Sequence, residues 1–244
     1  MSASAQAAEV QTNSALEIKG TITKIDGTGN ETNWTDFTVC VFNEKCQVSN
    51  LYFNKELLEN GTDGTNAYFL NKMTKAKRLI KDWWEWGSVS AGRFPINGMA
   101  PGQLCWLAYG SSGYFATNSP AVPMESFQQN AAFLHCEIEL SAAQPHLPER
   151  IRWYGSNFWY LRANGPGNKE SVPYDQGFLA GDYRVTEVTN FQGLHLPAGF
   201  EFSVFIPSFF GKKLAPDAVT LVEILRARIS SIKAIPMLSD FRPT

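Results

Sequence analysis

The stretch Asn60-Gly-Thr-Asp-Gly-Thr-Asn-Ala-Tyr-Phe-Leu70 constrains this chain more than any other. Asp63-Gly64 is a strong two-residue signal for a type I′ hairpin turn, which needs positive φ at both central positions. Ala67 to Leu70 is apolar enough to be the returning strand. The first third of the chain is thereby committed to antiparallel pairing, because tight turns join antiparallel strands without a crossover.

The flanking segments extend the pattern. Leu16 to Ile25 alternates apolar and polar residues as a half-buried strand does, and Asp26-Gly-Thr-Gly-Asn30 breaks it with turn residues. Trp34 to Phe42 and Cys46 to Phe53 predict two more strands around Asn43-Glu44-Lys45, which makes a meander. Further on, Phe133 to Leu140 alternates with Leu134, Cys136, Ile138 and Leu140 on one face. Ile151 to Leu161 predicts a second hairpin around Gly155-Ser156-Asn157, with Trp153 and Tyr154 opposite Phe158, Trp159 and Tyr160. Asn164 to Asp175 reads as loop. Tyr183 to Val188 and Gly199 to Ile206 form a pair flanking Gly193-Leu-His-Leu-Pro197. Val219 to Ile235 closes the chain, and its broken alternation from Arg228 to Ile232 predicts a bulge.

Two middle segments differ. Met73 to Trp86 spaces Met73, Ala76, Ile80 and Trp83 or Trp84 by three and four residues, with lysines and Arg78 between, and predicts an amphipathic helix. Pro101 to Phe115 opens on Pro and carries small residues in its body, as a closely packed helix does, although Gly110 and Gly113 weaken it.

Composition fits one domain of this kind. The chain has 244 residues, 44% hydrophobic and 18% charged, and 13% aromatic with seven Trp, which favours strands around an aromatic core. The expected organisation is a tail over residues 1–15 and a single β-rich domain over 16–244. The expected fold class is mainly β (α+β): a large curved antiparallel sheet or half-barrel with one or two helices on its concave face. A net charge of −2 with no basic stripe argues against a nucleic-acid partner. No apolar run approaches the roughly 20 residues of a membrane-spanning helix.

The N-terminus bears on location. Ala5-Gln6-Ala7 has the small-x-small form of a signal-peptidase site without the apolar stretch that should precede it. A signal-peptide remnant would place the protein in the periplasm or outside the cell; the other reading is an Ala/Ser/Gln tail. Cys40, Cys46, Cys105 and Cys136 suit either two disulfides in an exported chain or four buried thiols. A five-residue loop would set Cys40 opposite Cys46, and a shorter one would offset them.

Chemistry is sparse. His135, Glu137 and Glu139 share a strand face, but neighbours two apart lie about 7 Å from each other, too far for one ion. A polar solvent face is the expected role, and no metal or cofactor is expected. His146 and His195 have no partner in sequence that suggests a base. Gly110-Ser-Ser-Gly113 is not a nucleophile elbow, and no phosphate-binding or dinucleotide motif occurs. No catalytic residue is assigned, which leaves a hydrolase with two carboxylates assembled by the fold as one alternative. Trp83, Trp84 and Trp86 cannot all face inward from one element. Together with Trp153 and Trp159 they are candidates to line an apolar cavity or, as an alternative, to stack on sugar rings in a carbohydrate-binding or adhesive module.

The order of elements resembles exported bacterial proteins of the LolA-like half-barrel family, which sorts outer-membrane lipoproteins. The resemblance is carried by Thr62-Asp63-Gly64-Thr65-Asn66-Ala67-Tyr68, which follows the family's short signature, by a helical plug at residues 101–116, and by Asn190 to Pro197. It runs loosely over residues 16–235. Lys72 follows Asn71 where the family often has Pro, and no counterpart of the family's acyl-gating arginine is found. The resemblance implies an apolar groove for a lipid or another apolar small molecule, and association with the periphery of the cell envelope. It adds Trp106, Tyr109 and Phe115 of the plug to the candidate ligand-binding residues.

Overall fold

A computed structural model of the chain describes residues 14–42, 45–52, 57–62, 67–71, 76–80, 101–110, 133–142, 148–161, 169–210 and 213–236. Its eleven strands are β1 (Ser14–Asp26), β2 (Glu31–Phe42), β3 (Lys45–Tyr52), β4 (Leu57–Thr62), β5 (Ala67–Asn71), β6 (Ala76–Ile80), β7 (Phe133–Leu140), β8 (Pro148–Leu161), β9 (Lys169–Phe191), β10 (Leu194–Phe210) and β11 (Lys213–Pro236). They form one antiparallel sheet in the order β6-β5-β4-β3-β2-β1-β11-β10-β9-β8-β7. Two meanders thus run outward from a central β1–β11 pair that joins the chain's two ends. A short helix, α1 (Pro101–Cys105), continues into a π-helical turn over Trp106–Gly110.

Alternation sorts the side chains between two faces. Leu16, Ile18 and Ile22 of β1 share the inner face with Phe37, Val39 and Val41 of β2 and with Phe200, Phe202, Leu225 and Ala227 of β10 and β11. Helix and π-turn bury Leu104 to Tyr109 in the same cluster and touch β2 and β3 on one side and β10 on the other. In a flat sheet β3 and β10 would lie four strand spacings, or roughly 19 Å, apart, wider than a helix with its side chains. One helical segment meets both because the sheet is open and curled around it.

The outer face carries the charge. Arg150 reaches Asp182 with two bonds of 2.9 and 2.7 Å, and Arg152 bridges Glu137 and Glu139. Arg184 and Arg226 both bind the Glu201 carboxylate, which is 2% exposed. These pairs are the sheet counterpart of helical i,i+4 pairs, and they lace β7 to β11 on the side away from α1.

Several expectations need correction. Ala76–Ile80 is a strand paired with β5, not part of a helix. Among the described residues it is the last strand of the sheet on that side. The residues from Ile151 to Leu161 make no hairpin: β8 runs straight through them, and Phe158 pairs with Val172 of β9. The register shift between Gly155 and Asn157 is what remains of the turn signal. The expected loop from Asn164 to Asp175 is strand from Lys169 onward. Helical structure is limited, among the described residues, to 101–110.

Other expectations hold in whole or in part, the first of them for the strand pairing and not for the two-residue turn. β4 pairs with β5, but Thr62 faces Ala67, so the hairpin is centred one residue later than a two-residue turn at Asp63-Gly64 requires. The turn residues themselves lie outside the described set. The positive-φ pair is at Gln192 and Gly193, φ 53° and 86°, where Phe191 faces Leu194 across a two-residue turn. The Asn190 side chain accepts the Gly193 amide there at 3.0 Å. The bulge predicted between Arg228 and Ile232 is present: Lys19 faces Ser231 and Gly20 faces Ile229, leaving Ser230 unpaired in the ladder.

Candidate functional site

The candidate site is the inner face where α1 and the π-turn lie in the curl of the sheet. Pro101 to Gly110 contains no charged side chain. It therefore meets the sheet through apolar packing and hydrogen bonds. Trp106 and Tyr109 are both buried. The Tyr109 ring stands edge-on to Phe200 at 5.5 Å and 88°, and its hydroxyl donates to the Pro197 carbonyl oxygen at 2.7 Å. Aromatic pairs of this geometry contribute about 0.5–1.5 kcal/mol beyond area burial. A π-turn departs from the regular ladder and is frequent at functional positions.

Two small residues let the inner face close. Gly20 faces Phe37, and a Cβ on Gly20 would stand 2.2 Å from the Arg228 carbonyl oxygen and 2.6 Å from the Phe37 ring. A Cβ on Gly181 would stand 2.7 Å from the Phe202 ring. An aromatic ring over a bare backbone bends and fills the sheet at once.

The buried polar groups of this face are few. Tyr183 of β9 sits between Ile151 and Phe202, fully buried, and its hydroxyl has no hydrogen-bond partner among the described residues. Asn50 of β3 is also buried, and its side-chain carbonyl oxygen has none either. Burial pushes the Tyr183 phenol far above its usual range, and the Cys105 thiol adds to the shift. The Cys105 thiol is likewise raised, first by burial and then by Cys46 of β3.

The cysteines are free thiols. The strands β2 and β3 meet with Phe42 facing Lys45, so Cys46 faces Val41 and Cys40 faces Gln47. This is the shorter connection, and it turns the two sulfurs to opposite faces. Cys46 belongs to the main core, whereas Cys40 packs with Ala15, Phe42 and Ile235 on the outer side.

Of the sequence-derived site residues, Trp106 and Tyr109 come together on the inner face. Trp83, Trp84, Trp86 and Phe115 lie outside the described residues. Trp153 is fully buried, edge-on to Phe202 at 5.7 Å, and offers no stacking platform. His135 stacks on Tyr154, while Glu137 and Glu139 bind Arg152, as a polar solvent face would. Sequence reasoning missed Tyr183 and Asn50. Their signal was a polar group on the apolar side of an alternating strand: Asp182-Tyr-Arg-Val185 and Cys46-Gln-Val-Ser-Asn50.

No protein-family model and no curated protein matches the chain. Among solved structures it is similar to a DUF1329 family protein from Desulfovibrio piger, with a TM-score of 0.51 and 8% identity over 98% of this chain and 92% of that one. It is also similar to a LolA superfamily protein from Nitrosomonas europaea, with a TM-score of 0.48 and 11% identity over 96% of this chain and 92% of that one. The first likeness carries the weight, and at such identity it speaks for fold alone. At that level the half-barrel expected from the sequence stands.

Proposed function

We propose that the protein is an exported, non-enzymatic binding protein whose curled sheet holds a lipid or acyl chain on its inner face. The observation that carries this reading is the separation of the two faces. Ion pairs lace the outer side, whereas the described inner side is aliphatic and aromatic and is covered by an uncharged helical segment. Such a face suits a ligand that is mostly hydrocarbon, since apolar contact accounts for most of the free energy in small-molecule sites. Trp106 and Tyr109 are the proposed contacts from the helical side, with Trp83, Trp84, Trp86 and Phe115 as further candidates. Residues 16–244 act in this reading as one domain, with the helical segment on the concave face of the half-barrel. Ala5-Gln6-Ala7 supports a periplasmic or secreted location at the edge of the envelope.

Titration of the purified protein with diphenylhexatriene tests the groove. Saturable enhancement of the dye's fluorescence at about one dye per chain is expected. A linear response equal to that of a denatured control would remove the reading.

A further inference from the structure

The outer face carries more than the pairs that lace it. At its centre, strands from opposite ends of the chain bring cations together. Buried Leu225 and Ala227 alternate with Arg226 and Arg228 along β11, which turns both arginines outward. Lys233 follows the core residue Ile232 on the same strand, beyond the bulge, and faces Glu17 of β1. Lys19 follows buried Ile18 on β1, and Arg184 follows buried Tyr183 on β9. The stripe from Arg226 to Lys233 is roughly 20 Å long, and β9 to β1 adds roughly 14 Å of width.

The carboxylates of this region lie deeper than the cations. Glu201 takes both Arg184 and Arg226, yet its side chain is 2% exposed against 54% and 35% for the two arginines. Glu17 pairs with Lys19 at 3.1 Å, with 23% of its side chain exposed against 47%. Arg228 is 69% exposed, and Glu187 stands 4.0 Å from it, at the limit of an ion pair. Solvent therefore meets guanidinium and ammonium groups with two carboxylates beneath them; Glu187 alone of the three is as open as the cations.

The arrangement opposes folding. Arg226 and Arg228, two apart on one face of a strand, are roughly 7 Å from each other, and Arg150 of β8 lies directly opposite Arg184. Like charges so placed are destabilising. An arginine has five N–H donors, and the bonds to Glu201 leave most of those on Arg184 and Arg226 to solvent. Such a face fits a partner that supplies negative charge, and its spread in two dimensions fits a surface better than a single phosphate or a linear polyanion. We infer that the outer face around β11 docks on the phosphate headgroups of an anionic phospholipid bilayer. The choice of a lipid surface rests on the envelope location proposed above.

Sedimentation with vesicles of phosphatidylcholine, alone or mixed equally with phosphatidylglycerol, tests this. The wild type is expected to bind only the mixed vesicles at low salt, and to leave them in about 1 M salt, where the Debye length is about 3 Å. Arg228→Gln is expected to weaken binding about fivefold, the effect of one charge near an anionic surface. Glu201→Gln withdraws a buried negative charge and leaves both arginines. It is expected to tighten binding severalfold while lowering stability, a gain that a purely structural role for the Glu201 pairs would not produce. Lys24→Gln removes the same charge from the inner side, where Lys24 faces buried Leu225, and is expected to leave binding unchanged. Equal losses in Arg228→Gln and Lys24→Gln, or equal binding to both kinds of vesicle, overturn the inference. A DNA duplex that takes the protein off mixed vesicles at equal phosphate concentration overturns it as well. Diphenylhexatriene enhancement measured without vesicles reports on the groove separately. Dye binding without vesicle binding overturns the docking face and leaves the groove standing; failure of both overturns both.

Discussion

The Tyr109 hydroxyl donates to the Pro197 carbonyl oxygen at 2.7 Å across 88 residues of sequence. Pro197 stands where β10 breaks register with β9, so its carbonyl is spared from the ladder and open to the helical segment. This bond and the edge-on contact with Phe200 join the one uncharged helical element to a wall of the curl. Tyr109→Phe keeps the ring contact and strands a buried carbonyl. A loss of about 1–2 kcal/mol is expected, a fall of roughly 2–8 °C in melting temperature by calorimetry.

Glu201 ties three strands on the outer face. Its buried carboxylate takes Arg184 on β9 and Arg226 on β11, and the arginines stay partly in water. Glu201→Gln removes the charge and keeps the shape. Because solvent continues to stabilise the arginines, the expected loss is about 1–3 kcal/mol, below that of a fully buried pair. Urea unfolding checks this, with a reduced midpoint and an unchanged slope. Dye binding on the inner face is expected to persist.

Gly20 allows β1, β2 and β11 to close. Gly20→Ala places a methyl against the Arg228 carbonyl and the Phe37 ring, and backbone cannot yield as a flexible side chain can. An expected loss of about 1–3 kcal/mol follows from overpacking, measurable by denaturant titration. Gly20→Ala with Phe37→Leu is expected to recover only part of it, because the carbonyl remains.

The thiols give a pH dependence with a definite sign. Burial raises the Cys40 thiol to about 11 and Cys46 and Cys105 further. In the unfolded chain they titrate near the ordinary value, about 8.5. Above that pH the unfolded state loses protons that the folded state keeps, so stability falls as pH rises. Stability measured by urea midpoint is expected to be level with respect to these groups below about pH 8 and to decline above pH 9. Replacing Cys46 and Cys105 with Ala removes part of that slope. In the folded protein at neutral pH, Cys46 and Cys105 are expected to resist alkylation until urea unfolds the chain.

Strand existence was legible wherever alternation was strict, as in Leu16 to Ile25 and Phe133 to Leu140. Strand continuity was not. Gly155-Ser-Asn157 has turn chemistry, yet β9 offers a partner along the whole of β8, and the ladder overrides the local preference. Ala76 to Ile80 is too short to separate a period of two from one of 3.6, so the neighbouring strand decided. Trp106 and Tyr109 were legible only through the resemblance, as part of its helical plug, on a segment whose opening Pro and small residues already predicted a helix. Tyr183 and Asn50 carried only a weak signal, a polar group on the apolar side of an alternating strand, and their burial is what sets them apart from ordinary strand residues.

Native mass spectrometry of the protein taken from cell extract, without detergent or refolding, tests the central claim most directly. The account predicts a chain mass accompanied by a second species heavier by one lipid, lost on collisional activation and absent after denaturation. Only the bare chain mass, in preparations that also fail to enhance diphenylhexatriene fluorescence, would contradict it.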